Sequence, residues 1–252
     1  MLIDLTGKVV MITNGASGLG RILSSEFARS GADIVATCPP GQLDEAAGFA
    51  EEIEAAGRKA LLLELSSDTL ATAKTAIDRI EEVFGRLDAM ILHPLEEPSV
   101  DFDKMTAEDW DTCDQRIAKY SAFLCREASR LMLKNQFGRI IALGDNSFYE
   151  NRQDMVPYES AECSLTKLMM GLSVYYAPYI KCNAVNVRGL NGETGAEPGA
   201  IIEDRMYRWL TNDIYGVAEL LQFLVGCRNS CGISGAMIPV DNAQGLMSSR
   251  NW

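Results

Sequence analysis

The sequence predicts one doubly wound α/β domain over residues 1–252: a seven-stranded parallel sheet with helices on both faces. Three observations predict it. Short apolar runs rich in β-branched residues alternate with segments of helical periodicity along the chain. A glycine turn, Asn14-Gly15-Ala16-Ser17-Gly18-Leu19-Gly20, lies between the first such run and the first helix. No linker, repeat or low-complexity tract divides the chain.

Residues 8–13 (KVVMIT) read as a buried strand. The helix after the glycine turn places Leu19, Ile22, Leu23 and Phe27 on one face and stops at Gly31. Strand, turn and helix make half of a dinucleotide-binding unit, since the glycines allow close approach of phosphate and the helix N-terminus favours an anion. Residues 33–37 (DIVAT) form the second strand, 43–56 a helix ending at Gly57, and 59–65 (KALLLEL) the third strand. A helix over 69–84 repeats apolar residues at Ala73, Ile77, Ile80, Val83 and Phe84. Residues 88–92 (DAMIL) are the fourth strand. Thr106, followed by acids at Glu108 and Asp109, caps a long helix reaching about Asn135. Residues 139–143 are the fifth strand, and a helix begins near Pro157. Residues 183–187 are the sixth strand, 188–204 a mobile glycine-rich loop, 203–210 and 215–226 two short helices, and 236–240 the last strand.

Composition narrows the function classes. Hydrophobic residues make up 47% of the chain, enough for a packed core. A net charge of −12 and a pI near 4.6 argue against nucleic acid and anionic membranes as partners. No apolar run is long enough to span a bilayer, and the first residues, with Asp4 among them, do not read as a signal peptide. Seven cysteines form neither a CxxC pair nor a disulfide framework, so free thiols in a reducing cytoplasm are expected. With His93 as the sole histidine and no ligand spacing, no metal site is expected.

Several stretches carry a family resemblance. They are TNGASGLG at 13–20, FGRLD at 84–88, Asp109-Trp110, FGRII at 137–141, Tyr158, Asn183-Ala184-Val185 and SGAMIPVD at 234–241. On these the sequence resembles the short-chain dehydrogenase/reductase family over nearly its full length. The resemblance implies a Rossmann-like fold and a nicotinamide cofactor. It also implies a site where a Ser ends the fifth strand, a Tyr follows thirteen residues later as general acid/base, and a Lys four beyond lowers the Tyr pKa. Asp145, Tyr158 and Glu162 occupy those places. Asp145 only accepts hydrogen bonds when ionised and would repel an oxyanion. A carboxylate at Glu162 has the wrong sign: a unit charge ~4 Å away at an effective dielectric of ~20 is worth about 4 kcal/mol, or about 3 pKa units. Tyr158 would then be an ordinary helix tyrosine.

The cofactor anchors of the family are also replaced. Cys38-Pro39-Pro40 stands where a ribose-binding acid or phosphate-binding base is placed, Leu65 where the adenine-binding Asp is placed, and Leu92-His93-Pro94-Leu95 in place of Asn-Asn-Ala-Gly. No Asn lies near 116–118 to hold a relay water. Gly15, Gly18 and Gly20 remain as a remnant glycine turn, with Asn14 in place of the family's first Gly. The expectation is a pseudoenzyme with no working catalytic residues and no cofactor of its own. It would be the non-catalytic subunit of a hetero-oligomer, a heterotetramer by family habit. Its partner would be an active paralogous subunit that holds NAD and oxidises a hydroxyacyl-CoA. Two alternatives stand beside this: a repurposed, cofactor-independent enzyme using Tyr158 with Asp145 and Glu162, or an unusual NAD(P)-dependent oxidoreductase.

Overall fold

The computed structural model describes residues 3–44, 46–66, 69–94, 99–145, 152, 154–188, 213–228 and 231–241. Seven parallel strands form one sheet: β1 Val9–Ile12, β2 Asp33–Cys38, β3 Ala60–Glu64, β4 Ala89–Leu92, β5 Gly138–Asp145, β6 Ile180–Val187 and β7 Met237–Val240. Their order is β3-β2-β1-β4-β5-β6-β7. The chain reverses its winding between β1 and β4, so a crevice opens at the carboxyl ends of these strands. The helices are α1 Gly18–Arg29, α2 Phe49–Ala55, α3 Leu70–Phe84, α4 Ala107–Cys113, α5 Tyr120–Lys134, α6 Val156–Tyr175 and α7 Ile214–Gly226. A π-helical turn, Asp114–Lys119, joins α4 to α5.

The two faces follow from the alternation of side chains along a strand. In β1, Val10 and Ile12 pack with Phe27 of α1, Ile53 of α2 and Leu221 of α7. Val9 and Met11 point the other way, to Ile77 of α3, Leu131 of α5 and Met169 of α6. Both faces are covered, which is why the strands are apolar throughout instead of alternating with polar residues. Each fully buried Leu, Ile or Phe is worth about 1.5–3 kcal/mol of removal from water.

Local signals set the helix ends. Thr69 and Thr106 each close a capping box, with Thr72 and Asp109 returning the bond. Gly85, at φ +69°, ends α3 in a left-handed conformation that costs glycine no strain. Below the sheet, Asp88 is almost fully buried and accepts from Lys8 Nζ (3.2 Å), Arg86 Nη2 (2.6 Å) and the Val9 N–H (3.0 Å).

Some expected boundaries shift. α2 begins at Phe49 and not at 43, because Gly48 holds a positive φ and residues 43, 44 and 46–48 are turns. β5 and β6 are longer than expected, eight residues each, because they pair in continuous register from Gly138↔Ile180 to Asp145↔Val187. The expected helix over 203–210 and the loop beyond Arg188 lie outside the described residues.

Candidate active site

Three sequence-predicted positions do come together. β5 ends on Asp145, and α6 starts with Pro157 in its first turn, a ring whose fixed φ suits that position. Tyr158 and Glu162 lie four residues apart on α6 and so share a face. Both are buried, at 5% and 4% exposure. Gly144 makes room for the acid: a Cβ there would collide with Glu162 Oε2. The Asp145 backbone N–H donates to the Glu162 carboxylate. Glu162 Oε1 has no hydrogen-bond partner.

This burial changes the charge at the site. Desolvation, followed by the nearby Asp145 charge, pushes Glu162 up to about 8; the Asp145 N–H and Arg152 act in the opposite sense. Near neutrality the protonated form is therefore favoured. The expected carboxylate charge beside the phenol is corrected accordingly: Glu162 is mostly a neutral acid held against β5.

A cation that the sequence did not suggest lies at the site. Arg152 Nη2 donates to Asp145 Oδ2 (2.6 Å), and its backbone N–H and Nε donate to Glu159 Oε1 (3.0 and 3.1 Å). The guanidinium carbon lies 5.6 Å from the centroid of the Tyr158 ring, within cation–π range. Asp145 is thus engaged by a guanidinium where a bare, repelling carboxylate was expected. Arg152 comes from a loop, so no periodicity flags it. One signal was present: it is the only Lys or Arg between Arg139 and Lys167.

The glycine turn has two kinds of glycine. Gly15 and Gly20 serve packing: a Cβ at Gly15 would lie 2.8 Å from Ile12 O and 2.9 Å from Ser24 Oγ, and one at Gly20 would strike Asn14 O. Gly18, at φ +51°, faces open space. Ser17 caps α1 without a side-chain hydrogen bond, and the first turn holds no acid. This end of α1 fits an anion. Asn14 takes the left-handed conformation (φ +52°) that Asn tolerates better than most residues. Its Nδ2 donates to His93 O (2.7 Å), and its N–H donates to Thr37 Oγ1 (2.9 Å).

The rest of a dinucleotide fits less well. Cys38 is buried and paired in register with Glu64, whose Oε1 accepts from the Gly41 N–H (2.6 Å). Glu64 is an acid at this edge that the sequence reading passed over. His93 is kept neutral by burial, which pulls it down to about 4, and its Nδ1 has no partner. At the nicotinamide end, Glu162 is turned onto the β5 backbone and offers no cation to a ribose. The residues fit a diphosphate at the turn and do not fit a complete nicotinamide dinucleotide. The segment expected to carry a relay Asn is the π-helical turn, with Ile117 buried there. Among the described residues no group of three or more His, Cys, Asp or Glu could hold a metal, and no helix is long and apolar enough to cross a membrane.

The family model for short chain dehydrogenase matches residues 8–197. The chain belongs to the short chain dehydrogenase family. An uncharacterised oxidoreductase of Schizosaccharomyces pombe is 28% identical over 184 residues, covering 72% of this chain and 63% of that protein. The "Probable NADP-dependent mannitol dehydrogenase" of Yarrowia lipolytica is 26% identical over 189 residues, covering 73% of this chain and 66% of that one. The match thus spans less than two thirds of either relative. Acetoin dehydrogenase from Enterobacter cloacae superposes with a TM-score of 0.85 at 22% identity, covering 99% of this chain and 100% of the other. A Burkholderia cenocepacia short chain dehydrogenase in complex with NADP gives 0.82 at 24% identity, covering 95% and 98%. These likenesses establish the seven-stranded dehydrogenase fold. A fold of this kind hosts many functions, and the residues of the site decide among them.

Proposed function

We propose that the chain is a non-catalytic subunit of a hetero-oligomeric NAD-dependent hydroxyacyl-CoA dehydrogenase, and that it stabilises an active paralogous subunit. The features suit the inactive subunit of 2-[hydroxy(phenyl)methyl]-succinyl-CoA dehydrogenase, of anaerobic toluene degradation. The observation that carries the reading is Glu162: a mostly protonated acid fills the hollow at Gly144 in the place of the family's lysine. A neutral group there neither lowers a phenol's pKa nor anchors a ribose through charge. The exposed apolar residues at the end of α6 add support: Val174 and Tyr175 are 79% and 78% exposed, and Leu133 on α5 is 39% exposed. Aromatic and aliphatic side chains so placed suit a subunit contact.

The test is calorimetry with NAD on the isolated chain, followed by co-expression with a paralogue that has a complete Ser-Tyr-Lys set. No NAD binding by this chain and co-purification with the paralogue are expected. Micromolar NAD binding to this chain alone would overturn the reading.

A second reading is favoured by Arg152, the cation over Tyr158. With Asp145 and Glu162 it would make a cofactor-independent proton-transfer site or an unusual oxidoreductase site. Turnover by the chain alone that disappears in Tyr158→Phe would establish it. An unchanged rate in that variant would remove it.

A further inference from the structure

The outer face of α6 has a chemistry of its own. The helix runs for 20 residues, about 30 Å, with its inner side on β5 and β6. Ser160, Ser164, Lys167, Gly171 and Val174 recur at alternating intervals of four and three, so they line one stripe. None of the five side is buried: Ser160 is half-buried and the other four are exposed. The stripe is nearly flat. Ser160 Oγ donates to Val156 O (2.7 Å) and Ser164 Oγ donates to Ser160 O (3.0 Å), so both hydroxyls fold back on the helix's own backbone. A Cβ at Gly171 would meet nothing in the chain. Side chains this small let a second helix approach closely. At the end of the stripe Tyr175 stands edge-on to Tyr176, ring centroids 4.8 Å apart, an exposed aromatic anchor held in place before any contact.

Charge decides what fits this face. α6 holds three charged residues, Glu159, Glu162 and Lys167, and both acids are buried. Its exposed charge is therefore positive, in a chain whose net charge is −12. The neighbouring α5 repeats the pattern. Its one acid, Glu127, is buried, and Arg126, Arg130 and Lys134 are exposed. Arg130 and Lys134 are answered by Asp78 and Glu81 of α3. Lys167 has no such acid on its own helix, and it stands midway between Ser160 and Val174. A two-fold contact between identical subunits is isologous, so the middle of the face meets its own counterpart. Two copies of α6 laid antiparallel along the stripe would set Lys167 against Lys167, a like-charge contact taken out of water.

We propose that the outer face of α6 docks a paralogous subunit's helix that carries a carboxylate opposite Lys167, and that Lys167 keeps two copies of this chain from pairing there. The proposal rests on the hetero-oligomer reading above and gives the partner's surface a sign. Lys167 is a specificity residue: it pairs with the acidic partner and repels the identical one, while the small residues and Tyr175 supply the fit.

The full-length chain itself is the probe. Wild type and Lys167→Glu, each alone, should show no dimer through this face in sedimentation velocity at low salt. Mixed one to one, they should form a dimer, because lysine then meets glutamate, with association at least tenfold tighter than in either separate sample. Raising the salt about tenfold should weaken it. Gly171→Arg, placed where a side chain meets nothing in the chain, should keep the native circular dichroism and abolish the mixed dimer. A mixture no heavier than its components would overturn the proposal. So would a mixed dimer that survives Gly171→Arg, or a wild-type homodimer that Gly171→Arg dissolves. Both substitutions lie on the outer face of α6, so a monomeric mixture would remove this surface without bearing on NAD calorimetry, and NAD binding by the chain alone would leave the mixing result untouched.

Discussion

Glu162 rests its carboxyl against the Cα of Gly144, in the space a side chain at 144 would fill, with Oε2 against the strand and Oε1 without a partner. A family position that ordinarily offers a cation to the crevice is here an acid packed into the sheet. The fit is reciprocal, since the acid needs the glycine and the glycine's hollow is filled by the acid.

Gly144→Ala should therefore be costly although alanine suits a strand better than glycine. The added methyl strikes the carboxyl of a buried side chain, which must then shift, and overpacking of this sort costs about 1–3 kcal/mol. In urea unfolding, the double variant Gly144→Ala/Glu162→Ala should recover part of that loss. Additive single effects would show that the two residues do not share the space.

Glu162 should make stability fall as pH rises. Its folded pKa, about 8, is raised above the ordinary 4.5, so between these values the folded state binds more protons than the unfolded state. The stability contributed is fully present below about pH 4.5 and is lost as pH climbs through about 8. Glu162→Gln, neutral at every pH, should flatten this slope. The difference between variant and wild type should grow by roughly 3–4 kcal/mol from pH 5 to pH 8.5 in paired thermal melts.

Arg152→Gln should raise the Glu162 pKa further, because Arg152 is one of the two influences that lower it. The direct stability cost should be small, about 1 kcal/mol, since the Arg152 side chain is 40% exposed and its ion pairs are screened. Carbon NMR titration of the Glu162 carboxyl measures the shift. An unmoved midpoint would mean that the guanidinium does not act on the acid.

Asn14→Gly should cost less than Asn14→Ala. Asn14 sits at φ +52°, where alanine is strained, and alanine also loses the bond from Nδ2 to His93 O. Together these cost about 1–3 kcal/mol. Glycine loses the same bond but is free of the strain. Chemical denaturation of the two variants separates the contributions.

Much of this protein was legible in the sequence. Short continuous apolar runs marked all seven strands and helical periodicity marked the described helices, because a strand buried on both faces is apolar throughout and a helix buries one face. The interval from Asp145 through Tyr158 to Glu162 pointed to one site, because Asp145 ends β5 and the other two lie four residues apart near the start of α6. α2 was placed too early because its pattern extended across Gly48, whose positive-φ backbone the pattern does not reveal.

The amino-acid order by itself determined the doubly wound sheet, the glycine turn, and the presence of an acid where the family has lysine. Only the tertiary structure decided what that acid does. It buried Glu162 against Gly144, which favours the protonated acid, and brought Arg152 to Asp145 and Tyr158. The physical reason is that periodicity records which residues leave water, whereas protonation and ion pairing depend on through-space distances between residues far apart in the chain.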